Sequence, residues 1–218
     1  MTEANPRQDD LGGALVVGVT GNIACGKTTI MRLLGEFGAD LIDADAVYHE
    51  LIAPWRPLWQ ALRERFGDDI LGSDGTIDRR ALGAIVFSDP AALADLDRVT
   101  HPAIISAIRE QIRDARRPVV AVDAVKLIES GMASLCTSVW LVTCDREQQI
   151  DRLIERNEMP RVEAERRVHA QPPIESKREL VDEVIDNSGS VDETRRQVLA
   201  AWDRFLTRAS KSKSRSSG

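Results

Sequence analysis

Residues 21–28 read Gly-Asn-Ile-Ala-Cys-Gly-Lys-Thr. This is the pattern G-x-x-x-x-G-K-T, whose chemistry is the cradling of phosphate. Gly21 and Gly26 let the backbone curl, so that the N–H groups of Asn22, Ile23, Ala24 and Cys25 turn inward onto phosphate oxygens. Lys27 reaches the outer phosphates, the Thr28 hydroxyl can ligate a magnesium ion, and Thr29 continues the binding set. The competing reading is a chance glycine turn before a helix. The flanks weigh against it. Leu15–Val19 is a short apolar run suited to a buried strand, and Thr29-Ile30-Met31-Arg32-Leu33-Leu34 has helical spacing of apolar residues. A helix that starts there aims its positive end at the same oxygens. The loop therefore implies a nucleoside triphosphate.

Other residues supply groups that could act on such a ligand. Asp43 and Asp45 stand one residue apart at the end of a second candidate strand, Ala39–Ile42. In open α/β sheets, ligands bind at the carboxyl ends of strands. One carboxylate can take a proton from an attacking hydroxyl while the other holds magnesium or water. Asp45 could instead cap a helix that begins at Ala46; a cap explains one acid and not two. Asp123 ends the small apolar run Val119–Val122, the form of an acidic strand that supports magnesium. A plain strand-end turn residue is the alternative. Glu129, six residues on, is a candidate contact to the acceptor or its loops.

Arg152 and Arg156 share a face of a helix after the fourth strand. Like charges four apart cost about 0.2–0.5 kcal/mol; a phosphate between them would reverse the sign. The competing reading is a solvated helix, since Glu147, Asp151 and Glu155 lie on it too. His101-Pro102 is expected to open a helix, because proline suits the first helical position. Lys177 is expected to be solvated. Trp55, Trp59, Trp140 and Trp202 are expected to be packing residues.

These groups need a scaffold, and composition bounds it. The chain has 218 residues, 43% of them hydrophobic, enough for one α/β domain with insertions. A net charge of −6 without a basic stripe argues against broad nucleic-acid binding. No apolar run approaches the length of a membrane span, and the polar, acidic start is no secretory signal. Cys25, Cys136 and Cys144 have no metal or redox spacing, and a disulfide at Cys25 would block the loop. The cytoplasm is the expected compartment.

Five candidate strands, Leu15–Val19, Ala39–Ile42, Val119–Asp123, Val139–Thr143 and Glu183–Ile185, alternate with helical patterns. That predicts a parallel sheet with helices on both faces, a three-layer α/β/α fold. About 75 residues separate the second strand from the third, far more than a crossover needs. Helices are expected over Ala46–Ala53, Pro57–Phe66, Arg79–Val86, Ala91–Thr100 and Pro102–Ala115. The expected organisation is a core of residues 14–47, 116–154 and 174–207, a helical insertion over 48–115, and an arginine-rich lid over 155–173. Residues 1–13 and 208–218 are expected to be flexible tails, the latter for its Ser/Lys-rich low complexity.

Taken together, the motifs resemble the dephospho-coenzyme A kinase family over roughly Val16 to Phe205. They are the loop itself, Leu-Ile-Asp-Ala-Asp at 41–45, Phe66-Gly67, Asp74-Gly75-Thr76-Ile77-Asp78-Arg79, Val86-Phe87 and His101-Pro102. Leu127-Ile128-Glu129-Ser130-Gly131, Gln149 to Arg152, Gln171 and Ile185-Asp186-Asn187-Ser188-Gly189 follow. The resemblance implies a five-stranded phosphate-loop kinase fold with a helical acceptor-binding subdomain. It implies ATP and Mg2+ as cofactors, and transfer of the γ-phosphoryl group to the ribose 3′-hydroxyl of dephospho-coenzyme A. It implies Asp45 as base, with Lys27 and magnesium on the β- and γ-phosphates. Arg152 would act on the transferring group. Arg156 joins the nucleotide set, and Asp43, His101, Lys126 and Glu129 the acceptor set; Thr28 and Asp123 would hold the metal. Partners are small molecules, not nucleic acid or membrane, and the expected state is a monomer, with a small homo-oligomer as the alternative.

The chain departs from the family pattern at Asn22, Ala24 and Cys25, where small residues are usual, and at Val125-Lys126, where Pro-Leu is usual. A nucleoside or nucleotide kinase would share the core, lid and arginines. A GTPase switch would carry an Asn-Lys-x-Asp motif, which is missing. An inactive nucleotide-binding scaffold would need neither Asp45 nor Arg152.

Overall fold

The computed structural model describes residues 11–216. Strands β1 (Leu15–Thr20), β2 (Asp40–Asp43), β3 (Val119–Asp123), β4 (Ser138–Thr143) and β5 (Glu183–Asp186) form one sheet in the order β2-β3-β1-β4-β5. The registers are parallel: Val19 sits beside Asp123, Thr20 beside Leu141, and Thr143 beside Asp186. The strand segments read Leu-Val-Val-Gly-Val-Thr, Val-Val-Ala-Val-Asp and Ser-Val-Trp-Leu-Val-Thr, runs without polar alternation. Such runs suit a sheet covered on both faces. All five expected strands are present, with ends shifted by one residue at most.

The chain divides into two compact units, Ile42–Asp114 and the remainder. The larger holds most of the sheet, helix α1 (Lys27–Glu36) and the C-terminal helix α9 (Val191–Ser216). Its core runs from Val17, Val19, Ile30 and Leu33 through Trp140 and Val142 to Val198, Ala201, Trp202 and Phe205. The buried positions 198, 201, 202, 205 and 209 lie at helical spacing, which carries α9 past the expected tail boundary. The helix continues to Ser216, so the disorder expected from residue 208 is corrected over its described part. At the other end Leu11 is buried and closes a turn with Ala14, which places the last residues of the expected leader in the fold. Residues 1–10 and 217–218, also expected to be flexible, lie outside the described residues.

The smaller unit is helical: α2 (Ala44–Leu51), α3 (Pro57–Phe66), α4 (Arg79–Ser88) and α5 (Pro90–Arg113), around Ile52, Trp59, Leu62, Ile70, Leu82 and Val86. Two differences from expectation stand out. His101-Pro102 opens no helix; α5 runs through Pro102 without a break. Its own packing holds it, with Ala92, Thr100, Ile108 and Ile112 buried on both sides of the proline. Trp55 is not a packing residue either. It is 81% exposed with φ +69°, and its ring lies 5.1 Å from that of buried Trp59. Trp59, Trp140 and Trp202 are buried as expected.

After β4 the larger unit carries α6 (Arg146–Asn157), α7 (Arg161–His169) and the short α8 (Glu175–Arg178). The apolar residues Ile150 and Leu153 of α6 pack on Ala164 and Val168 of α7, together with Ile23 and Ala24 of the glycine loop.

Candidate active site

The loop of residues 21–28 leaves the C-terminal end of β1, the central strand, and enters α1. Gly26 is the N-cap of α1 in the left-handed conformation, φ +88°, which glycine adopts without a steric penalty. A Cβ there would collide with the Asn187 amide, and one at Gly21 would lie 2.5 Å from the Val142 carbonyl oxygen. The backbone is therefore pressed close to its supports at both glycines. No side chain caps α1 and its first turn holds no acid. Its first N–H groups remain for an anion, which the helix dipole also favours.

Three groups brace this cradle from behind. Buried Asn187 donates through Nδ2 to the Cys25 carbonyl, 2.8 Å, and its Oδ1 accepts from the Thr194 hydroxyl, 2.9 Å. Arg152 donates to the carbonyls of Ala24, 3.3 Å, and Asn187, 3.0 Å, and to Gln148 Oε1, 3.1 Å. Gln149 Nε2 lies 2.8 Å from the Cys25 sulfur. Residues of the stretch expected to be a lid brace the front. Asn22 donates to the Pro172 carbonyl, 3.1 Å, and the Ile23 N–H donates to Gln171 Oε1, 2.9 Å. A cleft of about 500 Å³ opens here, between Asn22 and Cys25, the Thr143–Arg146 turn and residues 171–175. Ala24 holds φ +59°, a strained backbone for a residue with a Cβ.

Lys27 is on the first turn of α1, its Nζ 3.4 Å from the Gly21 carbonyl; Thr28 is exposed. Asp123 closes β3 beside Val19, two residues before the loop begins. Thr20, the residue between, donates to the Val125 carbonyl, 3.0 Å. Lys177, expected to be solvated, is buried instead. Its Nζ meets the Glu129 carboxylate at 2.9 Å and the Val125 carbonyl at 3.4 Å. Burial pushes the Glu129 carboxyl up, but the hydrogen bond from Lys177 and the charges of Lys177 and Lys126 outweigh it, and the group lies below the usual range. Arg156 sits exposed at the end of α6 and bonds Asn157. It does not share the inward engagement of Arg152.

In the helical unit, Asp43 caps α2. Its Oδ1 accepts from the N–H groups of Asp45, 2.9 Å, and Ala46, 3.2 Å. The capping role weighed for Asp45 thus falls to Asp43, and the Asp45 carboxylate is exposed. His101 lies mid-helix in α5, with Nε2 3.2 Å from Asp97.

Sequence reasoning did not single out Thr194, Cys144 or the bracing part of Gln149. Their signal is a contact across more than 100 residues of chain in two of the three cases, which no spacing rule reads.

A profile of the dephospho-CoA kinase family matches residues 15–193. A dephospho-CoA kinase of Geobacter metallireducens is 46% identical over 191 residues, 86% of this chain and 95% of the relative. A solved Thermus thermophilus protein superposes with TM-score 0.77 at 32% identity, covering 88% of this chain and 98% of that one. A dephospho-CoA kinase from Campylobacter jejuni gives TM-score 0.55 at 25% identity, covering 87% and 96%. The chain belongs to the dephospho-CoA kinase family, with the phosphate-loop kinase fold that its glycine cradle and parallel sheet build.

Proposed function

We propose that the chain transfers the γ-phosphoryl group of ATP to the ribose 3′-hydroxyl of dephospho-CoA, giving CoA and ADP, the last step of CoA synthesis. The observation that carries this reading is the uncapped start of α1 behind a braced glycine loop, in a chain of this family. The backbone N–H groups of the loop and the first turn of α1 hold the β- and γ-phosphates. Those of Ile23, Cys25 and Thr29 do so only on leaving Gln171 Oε1 and the Asn22 and Gly26 carbonyls, and Lys27 leaves its long contact with Gly21 for the phosphates. Arg152 has five N–H donors and spends three on the loop and its supports. Two remain for the transferring group. The transition state is loose, so catalysis rests on placement and charge neutralisation.

Asp45 accepts the proton of the attacking hydroxyl. Its support is an exposed carboxylate on the first turn of α2, left free of capping work by Asp43. The residues fit magnesium: Thr28 and Asp123 are hard oxygen donors, on the loop and beside its base. Among the described residues no cluster of three or more His, Cys, Asp or Glu could hold a metal. Thr28 and Asp123 would hold the ion from the protein side, and it would neutralise charge on the phosphates of ATP. The helical unit takes the acceptor; His101, Lys126 and Glu129 belong to the acceptor set. Residues 155–173 are the lid, and Arg156 meets the nucleotide when it closes. A monomer in the cytoplasm belongs to the same reading; the three cysteines are free thiols, the form a reducing compartment maintains.

The test is ADP release with ATP, magnesium and dephospho-CoA, run beside AMP, CMP and adenosine. Dephospho-CoA alone should serve as acceptor, and Asp45→Asn should lower kcat by about 10²–10⁴ with the KM for ATP unchanged. Phosphorylation of AMP or CMP in preference sinks the acceptor assignment, and an undiminished Asp45→Asn enzyme sinks the base.

A further inference from the structure

The proposed phosphoryl transfer uses the backbone of Cys25 but not its thiol, and it has no task for Cys144. The two side chains nevertheless lie close together. The Cys144 sulfur is 3.8 Å from the carbonyl of Ala24, the residue next to Cys25. Gln149 Nε2 donates to the Cys25 sulfur at 2.8 Å, and both cysteines line the same cleft. We propose that Cys25 and Cys144 are a disulfide-forming modification site, with a hydroperoxide as the oxidant, and that its oxidation disables the phosphate loop. The consequence for activity rests on the kinase reading above; the modification itself does not.

The electrostatics divide the labour between the sulfurs. The hydrogen bond from Cys144, the bond from Gln149 and the charge of Lys27 outweigh burial and lower the Cys25 thiol to about 7. Cys144 is pushed upward by the same pairing and by its own burial. Cys25 is thus the more acidic of the two thiols and the one to attack first. A thiolate is the form that attacks peroxide.

The chemistry balances. The Cys25 sulfur attacks one peroxide oxygen, the O–O bond breaks, and the leaving hydroxide takes a proton to become water. Cys25 is then a sulfenic acid. The Cys144 sulfur attacks it, the S–S bond forms, the S–O bond breaks, and the oxygen leaves as a second water with the Cys144 proton. Two thiols lose two electrons and one peroxide is reduced. The bond fixes a sulfur separation of about 2.0 Å and so ties the loop backbone at Cys25 to the turn before α6. That backbone carries the carbonyl that Asn187 holds and the N–H groups that hold phosphate. Cys136 is an internal control. Burial pushes its thiol up to about 12, and its sulfur points at the Met132 carbonyl.

The test treats the purified protein with hydrogen peroxide, alkylates the remaining thiols and maps the peptides by mass spectrometry. Nucleotide binding is read with a fluorescent ATP analogue and activity as ADP release, each before and after a dithiol reductant. The expected result is one cross-linked peptide pair holding Cys25 and Cys144, with Cys136 free. Analogue binding and ADP release are lost together and return with the dithiol. Cys144→Ser gives no cross-link, and its Cys25 stops at the sulfenic acid. A cross-link through Cys136, no cross-link at all, or a Cys25–Cys144 disulfide that leaves analogue binding intact overturns the proposal. If the reduced protein does not phosphorylate dephospho-CoA, the kinase reading fails, while the cross-link and analogue binding still decide this one.

Discussion

Lys177 and Glu129 form an ion pair of 2.9 Å that is buried on one side only: the lysine side chain is 7% exposed and the glutamate 44%. The same Nζ reaches the Val125 carbonyl, which Thr20 also holds. One ammonium thus fixes the loop after β3 to α8, beside the strand that enters the phosphate cradle. The two partners are not equivalent. Removing the carboxylate by Glu129→Ala leaves a buried cation with one long contact, at a cost of about 1–3 kcal/mol. Removing the charge by Lys177→Met leaves a carboxylate that water reaches. Urea unfolding should therefore show Glu129→Ala as the more destabilised of the two. Equal losses, or the reverse order, would contradict the asymmetry.

The pair also sets a pH signature. The Glu129 carboxyl is lowered in the folded chain, because the bond from Lys177 outweighs burial. A group with a depressed folded pKa contributes stability that is present above its unfolded value, about 4.3. That contribution is lost as pH falls through the folded value. The stability gap between wild type and Glu129→Gln should be steady at neutral pH and close as the solution is acidified below about pH 4. A gap that closes instead on the alkaline side would assign the effect to another group.

Ala24 holds φ +59° in the phosphate loop while its carbonyl accepts from Arg152. A left-handed conformation costs a residue with a Cβ about 1–2 kcal/mol, and glycine pays none of it. Glycine loses more chain entropy on folding, about 0.4–1 kcal/mol. Ala24→Gly should therefore be neutral to about 1 kcal/mol more stable, with the KM for ATP unchanged. Clear destabilisation in thermal unfolding would show that the Ala24 methyl, packed with Ile23 against α6 and α7, outweighs the backbone term.

How far the sequence carried depends on how local each signal was. The strands were legible because a parallel sheet buries both faces, and uninterrupted runs such as Val119–Val122 have few other uses. The phosphate loop was legible because its glycines, lysine and threonine sit within eight residues. The brace was not. Asn187 meets Cys25, and Arg152 meets Ala24, only after the chain has folded β5 and α6 beside the loop. Lys177 was misjudged for the same reason: its sequence neighbours are polar, while its burial comes from Val125 and Glu129, about fifty residues back. Pro102 misled in the other direction, since a rule for isolated helix starts yielded to the packing of α5.

That proline offers a test of its own. Pro102 sits twelve residues into α5, where the Arg98 carbonyl would otherwise receive an N–H. Thr100 loosens the same turn by bonding back to the Leu96 carbonyl, 2.8 Å. Pro102→Ala restores a donor and removes a clash that costs up to about 3 kcal/mol in a helix interior, less the chain entropy that proline saves. A net gain of about 1–2 kcal/mol is expected, read as a higher unfolding midpoint. A loss of stability would mean that the ring itself packs where alanine cannot.

Arg152 gives the sharpest separation between a structural and a chemical role. Its planar guanidinium bonds three acceptors in different directions, the carbonyls of Ala24 and Asn187 and the Gln148 side chain. A lysine ammonium cannot span that set and still present donors to a phosphoryl group. If Arg152 acts in the transition state, Arg152→Lys should lower kcat by about 10³ or more, with less than a few-fold change in nucleotide affinity. Arg156, exposed and bonded to Asn157, should respond differently. Arg156→Ala should raise the KM for ATP and leave most of kcat, as for an arginine that meets nucleotide only on closure. Steady-state kinetics with both substrates varied decides this. If Arg152→Lys instead loses stability and nucleotide affinity while keeping its kcat, the residue is a brace for the loop, and the charge on the transferring group must come from Lys27 and magnesium.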